Sequence, residues 1–245
     1  MTPEPATLCI GCWQQLHLPV PLRGPLSVPL RMFGIRPSRM NPNTCTVCEL
    51  MFSRLMKTRK ITVDLTVLFA DLRDYTALSQ TLEPDTVSML LDAFYDECAA
   101  AIWEHDGLLN KTIGDAVMAV FNFPIKQDNH AEQAVLAARE IQRRCQARRE
   151  RFLAEGIGRD GTELSVGIGI DSGDASFGEF GRSHRDLTAI GTVVNTAARA
   201  QAAAEPGQIL VTQAVRDRAT RQTTGSEGRD YVLKGISEPV QLYAI

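Results

Sequence analysis

Three groups of residues in this chain have types and spacings suited to chemistry. Asp115 sits at a Gly114-Asp115 turn inside NKTIGDAVMAVF (Asn110 to Phe121), with Lys111 four positions ahead of it. A carboxylate at a tight turn between β-forming segments is held rigidly and meets water. That suits magnesium, which takes oxygen ligands and needs only one or two protein carboxylates beside substrate phosphates; the same residues would also make a plain hairpin. Asn195 and Arg199 are four apart in an expected helix and share its face. An amide beside a guanidinium fits a ribose oxygen and a phosphate during charge transfer, or a solvated polar surface. The third group is Cys9-x-x-Cys12 and Cys45-x-x-Cys48, separated by 32 residues. In a reducing compartment, paired knuckles of this kind read as a four-cysteine zinc site before they read as disulfides. A redox-active thiol pair or an iron–sulfur cluster are the alternatives.

The elements that must position these groups follow from periodicity and breakers. ITVDLTVLFADL predicts a strand from Ile61 that ends at Asp71. Pro84 to Asp106 predicts a helix with Val87, Leu91, Phe94, Cys98 and Ile102 on one stripe, begun by a first-turn proline and ended before Gly107. The hairpin follows. Asn129 to Glu155 is expected as a second helix whose Arg143, Arg144, Arg148, Arg149 and Arg151 form a solvated face. Thr162 to Asp171 reads as a strand, and Asp171 to Gly181 as an irregular glycine-containing stretch. Asp186 to Ile190 is extended, Thr192 caps the helix of Asn195 and Arg199, and Pro206-Gly207 ends that helix. A strand (208–212), a short helix and two strands around Lys234-Gly235 complete the chain. The order β-α-β-β-α-β is the split βαβ, or ferredoxin-like, plan of an α+β fold. In that plan the third strand lies between the first two and runs antiparallel to both. Asp71, ending the first strand, therefore meets Asp115 at the hairpin tip, where two metal ions could sit.

Composition divides the 245 residues near position 60. Residues 1–60 carry net +6 and eight of the twelve prolines, and the rest carries −9. The expected organisation is a basic, proline-rich four-cysteine segment (1–48), a helical connector (49–60) and an acidic domain (61–245). A basic appendage can touch nucleic acid or an anionic membrane, but its own acidic neighbour is the simpler partner and no nucleic acid is expected. Neither an apolar transmembrane run nor a signal peptide is recognisable, so a cytoplasmic protein is expected. Cys98 and Cys145 fall on apolar helix faces as core thiols.

Taken together, LTVLFADLRDYTALS (65–79), DGLLNKTIGDAVMAVF (106–121), LSVGIGIDSG (164–173), DLTAIGTVVNTAAR (186–199) and VLKGISEPVQLY (232–243) resemble the catalytic domain of the class III nucleotidyl cyclases. The resemblance spans about three quarters of the chain. It implies that Asp71 and Asp115, with Leu72 beside them, bind two magnesium or manganese ions. These would activate the ribose 3′-hydroxyl for in-line attack on the α-phosphate and neutralise the pyrophosphate. Asn195 would orient the ribose and Arg199 would stabilise charge on the α-phosphate. Lys234 would contact the terminal phosphates, and the backbone amides of Leu72, Arg73, Asp74, Tyr75 and Thr76 would cradle them. Lys111 and Thr188 would read the base. Lysine with threonine implies ATP, where guanylate cyclases carry glutamate and cysteine. The family shares each site between two subunits, which implies a homodimer. Four positions depart from the family pattern: Asp74, Asp106 and Asn122 replace glycines, and Thr192 replaces an aspartate.

The leading expectation is an adenylate cyclase. Alternatives are a cyclase for another nucleotide, giving cyclic GMP or a cyclic pyrimidine nucleotide, and a low-activity nucleotide-binding regulatory module with a zinc-binding N-terminus. A third view makes the cysteine segment a sensor acting through residues 49–60.

Overall fold

The computed structural model describes residues 6–156, 164–181 and 186–245. The chain opens with α1 (Ile10–Leu16), α2 (Ser27–Met32) and α3 (Thr46–Thr58). Then come β1 (Ile61–Leu72), α4 (Tyr75–Thr81), α5 (Pro84–Glu104), β2 (Leu108–Ile113), β3 (Ala116–Phe121), α6 (His130–Ala154) and β4 (Val166–Phe180). β5 (Asp186–Ile190), α7 (Thr192–Ala203), β6 (Ile209–Thr212), α8 (Gln213–Arg218), β7 (Gly228–Tyr231) and β8 (Val240–Ala244) complete it. The sheet order is β2-β3-β1-β4-β6-β8-β7, with β5 folded back on β4. β3 lies between β1 and β2, antiparallel to both. The split βαβ plan read from the sequence is present.

Both faces of the sheet are covered, which explains the nearly unbroken apolar run of β1. Leu68, Ala70 and Leu72 join Phe94 and Ile102 of α5 and Ile141 of α6 in one core. Val67 and Phe69, pointing the other way, pack with Met118, Phe177 and Val193. Each of the leucine, valine and phenylalanine side chains contributes about 1.5–3 kcal/mol when fully buried, so a one-residue slip of β1 would forfeit both layers. Asp71 has the parity of Val67 and Phe69 and lies on the α7 side.

Four expectations change. Residues 171–181 are not irregular: β4 continues to Phe180 and pairs with β1 from Leu72↔Val166 to Ile61↔Phe177. A full ladder outweighs the low strand propensity of Asp171, Ser172, Gly173 and Asp174. The expected start of this strand, Thr162 and Glu163, lies outside the described residues. Gly191, not Thr192, is the N-cap of α7, because the non-helical backbone falls on the glycine and Thr192 is the first helical residue. The arginines of α6 form a solvated face only in part: Arg143 and Arg151 are exposed, whereas Arg144 and Arg148 are partly buried. Arg144 bonds Glu140 and Glu104, and Arg148 bonds Glu97, so these side chains tie α6 to α5. Finally, opposite charge does not dock the N-terminal segment. Among the described residues it is joined to the domain by amide and indole hydrogen bonds, including Asn41 Nδ2 to Gly107 O (3.0 Å), Asn43 Nδ2 to Asp106 Oδ1 (2.7 Å), Trp103 Nε1 to Met40 O (2.8 Å) and Gln14 Nε2 to Lys126 O (3.1 Å), and by Phe52 packing on Phe123 and Phe177. α3 begins at the Cys45 cap, ahead of Glu49, and buries Met56 against the sheet. Cys98 and Cys145 are buried in the α5–α6 core.

Gly169 fixes the seat of α7. A Cβ there would run into the backbone N of Gln201 and the carbonyl of Ala197, so the helix lies directly on β4. Neither neighbour is a flexible side-chain end. Gly169→Ala is therefore expected to cost about 3 kcal/mol by overpacking, read as a lower urea midpoint. It should also shift the helix that carries Asn195 and Arg199.

Candidate active site

Asp71 pairs in register with Ala116, which places Asp115 one residue further on at the hairpin tip. The tip is pinned twice. Leu72 N–H donates to Asp115 O (3.2 Å), and the Tyr95 hydroxyl of α5 donates to Gly114 O. Gly114 has φ +60°, a backbone conformation that glycine adopts without a Cβ penalty. Burial, then the negative charge of Asp115, push the Asp71 carboxyl up to about 6, against the opposing pull of Arg73 and a hydrogen bond from Gln201. Two carboxylates held together against their mutual repulsion make a place for a cation. Arg73 Nη1 lies 3.7 Å from Asp71 Oδ1. Its Nη2 donates to Gln201 O, with the guanidinium over Gly167, where any Cβ would collide with it.

The turn after β1 shows why the chain can depart from glycine. Asp74 (φ +59°), Asp106 (φ +55°) and Asn122 (φ +77°) all adopt the left-handed conformation, which Asp and Asn tolerate better than other side chains. Two of them also gain a bond: Asp106 accepts from Asn43, and Asn122 Oδ1 accepts from Gln127 N (2.7 Å). Asp74 precedes the short helix α4, which the sequence reading did not include. The N–H of Leu72 is bonded to Asp115 O and that of Arg73 to Ser165 O (2.8 Å). A phosphate cradle here would thus use Asp74, Tyr75 and Thr76, not all five amides.

Lys111 and Thr188 are brought together from β2 and β5. The β2–β3 register shifts between Leu109 and Lys111, a bulge that turns Asn110 toward β5. Asn110 Nδ2 donates to Leu187 O (2.9 Å), fixing the amide, and its Oδ1 accepts from Thr188 Oγ1 (3.1 Å). With its proton directed to Asn110 Oδ1 or, at 3.4 Å, to Ala189 O, the threonine oxygen offers lone pairs. Lys111 Nζ is ion-paired with Asp186.

Asn195 and Arg199 are exposed on α7. Asn195 lines a groove of about 780 Å³ with Thr192, Asp171 and the 235–241 loop, next to exposed Lys234. Among the described residues neither Asp71 nor Asp115 lines this groove. Asp171 lies under α7, accepting from Thr212 Oγ1 (2.6 Å) and Ser172 N (2.8 Å), and burial pushes its carboxyl up. A second cavity of about 470 Å³, largely apolar and lined by Met40, Phe52, Met56 and Phe123, lies between α3 and the sheet, away from these groups.

The sequence reading therefore missed Asn110, Asp186, Tyr95, Gln201 and the side chain of Arg73. Asn110 and Asp186 adjoin Lys111 and Thr188 in strands of the two motifs. The other three act across the fold and leave no local pattern.

The family model for the adenylate and guanylate cyclase catalytic domain matches residues 58–245. An adenylate cyclase of Anabaena cylindrica is 30% identical over 188 residues, covering 74% of this chain and 36% of that protein. Adenylate cyclase 1 of Rhizobium meliloti is 31% identical over 137 residues, covering 56% and 20%. The chain thus spans about a fifth to a third of the length of these curated relatives. The adenylyl cyclase CyaB from P. aeruginosa superposes with a TM-score of 0.69 at 31% identity, covering 76% of this chain and 95% of that one. The guanylyl cyclase Cya2 gives 0.69 at 25%, covering 76% and 92%. No described helix is long and apolar enough to cross a membrane. With the motifs in order, the split βαβ sheet built and the match running from residue 58 to the last residue, the chain belongs to the class III adenylate and guanylate cyclase catalytic-domain family.

Proposed function

We propose that this chain is an adenylate cyclase that converts ATP to 3′,5′-cyclic AMP and pyrophosphate at sites shared between two copies of itself. The observation that carries the reading is the grouping of residues within one chain. Asp71 and Asp115 lie together at one sheet end, Lys111 and Thr188 lie on β2 and β5, which Asn110–Thr188 and Lys111–Asp186 contacts join, and among the described residues the groove lined by Asn195 has none of Asp71, Asp115, Lys111, Thr188 or Arg199 in its lining. A two-fold dimer that sets the aspartates of one copy against Asn195, Arg199, Lys111 and Thr188 of the other supplies each site with a full complement.

The convergent carboxylates of Asp71 and Asp115, with the Leu72 backbone, fit a pair of hard divalent cations. When bound, these ions supply Lewis-acid activation of the 3′-hydroxyl and neutralise the departing pyrophosphate. The rest of the chemistry belongs to the chain. Lys111 donates to a ring nitrogen of adenine, and Thr188, oriented by Asn110, accepts from the exocyclic amine. Asn195 holds the ribose in line, and Arg199 stabilises charge on the α-phosphate as the new bond forms. Lys234 and the amides of Asp74, Tyr75 and Thr76 bind the outer phosphates. The ion pair with Asp186 keeps the Lys111 ammonium at the base site before the nucleotide arrives.

The test is to incubate the purified chain with ATP, GTP, CTP and UTP in turn, with Mg²⁺ or Mn²⁺, and to identify products by mass. Cyclic AMP from ATP is expected. No cyclic product from ATP would reject the reading, and a cyclic product from another triphosphate alone would reassign the base.

A further inference from the structure

Outside the cyclase site, the most organised chemical group is the sulfur cluster of the N-terminal segment. The four Sγ atoms of Cys9, Cys12, Cys45 and Cys48 lie within 4.8 Å of one another. Cys9–Cys48 is 3.7 Å, Cys12–Cys45 3.6 Å and Cys12–Cys48 3.4 Å. A tetrahedron with metal–sulfur bonds of about 2.3 Å has edges of about 3.8 Å, whereas a disulfide brings two sulfurs to about 2.05 Å. Here Cys12 and Cys48 each have two near neighbours, an arrangement of four ligands and not of two pairs. An iron–sulfur cluster, with its bridging sulfides, would spread the thiolates further apart. For a single divalent ion among four thiolates, zinc binds more tightly than iron(II).

The surroundings are built for thiolates. Each knuckle opens a helix: Cys9 Sγ accepts from Cys12 N (3.4 Å) at the start of α1, and Cys45 Sγ accepts from Cys48 N (3.5 Å) at the start of α3. Cys45 N also donates to Cys9 Sγ (3.2 Å), linking the two knuckles. Such amide bonds orient and charge-balance metal-bound sulfur. Gly11 passes so close that a Cβ would lie 3.1 Å from Cys48 Sγ. Around the sulfurs there is little else to hold the segment together. Among the described residues Leu22 is the one fully buried aliphatic side chain in this cluster, helped by partly buried Val20 and Ile35. A core of that size does not fold some forty residues without a staple.

We propose that these four cysteines bind one zinc ion in a closed tetrathiolate site, and that this ion keeps residues 6–48 folded as a platform on the cyclase domain. The platform reaches the site's scaffold at two points. Asn41 and Asn43, just ahead of Cys45, hold Gly107 and Asp106 immediately before β2, the strand of Lys111. α3 runs from the Cys45 knuckle to Met56 and leads into β1, the strand of Asp71.

The test uses the full chain, purified without chelators. Metal analysis is expected to give about one zinc per chain, falling below about a tenth of that in the Cys12→Ser/Cys48→Ser variant. Growth with cobalt should give the intense visible absorption of a tetrahedral Co²⁺ tetrathiolate in the unmutated chain, a readout that stands if the variant fails to fold. Stripping zinc from the wild-type protein should raise amide hydrogen exchange by about tenfold or more across residues 6–48 and at Gly107, leaving α6 protected, and adding zinc back should reverse it. Iron with acid-labile sulfide, two disulfides in protein handled anaerobically, or metal-free protein with unchanged exchange would each overturn the proposal.

Discussion

Replacing Asp71 or Asp115 by alanine is expected to lower cyclic AMP formation by about 10³-fold or more, because in the proposed mechanism each would supply one of the two carboxylates that hold the metal ions. A loss of fold would lower activity too, so stability is the necessary control, and here the two should move in opposite directions. Asp71 has its carboxyl pushed up to about 6 by burial and by Asp115, from an ordinary value of 3.8. The fold therefore favours the protonated form. In metal-free protein this stabilisation is fully present below about pH 4 and is lost as pH rises through about 6. Asp71→Asn removes the ionisable group and should raise stability of the metal-free protein near pH 7 by about 1–2 kcal/mol while abolishing turnover. The wild type's stability loss between pH 4 and 6 should be smaller in that variant. Thermal denaturation across this range, beside a product assay with Mg²⁺, checks both. An inactive variant that is also less stable at pH 7 would mean that Asp71 serves the fold.

The largest change of substrate should come from Lys111→Glu combined with Thr188→Cys. In the proposed reading, adenine's ring acceptor and exocyclic donor would be met by the Lys111 ammonium and by the Thr188 oxygen, which is hydrogen-bonded to Asn110. Guanine presents donors where a glutamate would accept. A site built to hydrogen-bond one base leaves buried polar groups unpaired against the other. The ratio of kcat/KM for ATP over GTP is thus expected to fall by about 10²-fold or more. Asn110→Leu alone should weaken selectivity without reversing it, since the threonine hydroxyl is then free to donate as well as accept. An unchanged ATP preference in the double variant would remove Lys111 and Thr188 from base reading.

Much of the fold and the site is legible in the sequence, for physical reasons that differ from residue to residue. Asp71 and Asp115 can be brought together from sequence alone because side-chain period and element order fix the split βαβ topology, and that topology leaves one place for the ends of β1 and the β2–β3 turn. β4 is only half legible. Its second part, Asp171 to Phe180, has polar and glycine residues that read as a break, and it is ordered by long-range pairing with β1 that local propensity does not report. Asp74, Asp106 and Asn122 stand in the sequence as departures from glycine with no evident cause. Their positive φ values show one, a left-handed turn that aspartate and asparagine also accept. The partners of the site, Tyr95 on Gly114 and Gln201 on Arg73, join segments distant in sequence, and nothing in either segment alone announces them. Net charge misleads about the docking of the N-terminal segment because it is a sum over the surface, whereas docking is done by particular side chains, among them Asn41, Asn43, Trp103, Gln14, Phe52 and Met56.

Whether one site needs two copies of the chain is tested most directly by mixing variants. Asp115→Ala lacks a metal carboxylate and keeps the groove; Arg199→Ala keeps the carboxylates and lacks the phosphate-binding arginine. Each alone should form cyclic AMP at a small fraction of the wild-type rate. Mixed in equal amounts and allowed to exchange, half of the dimers are mixed, and each carries one intact site of two, so activity should recover to about a quarter of wild type. A mixture that stays at the level of its components, while size measurements show that mixed dimers have formed, would contradict the shared site.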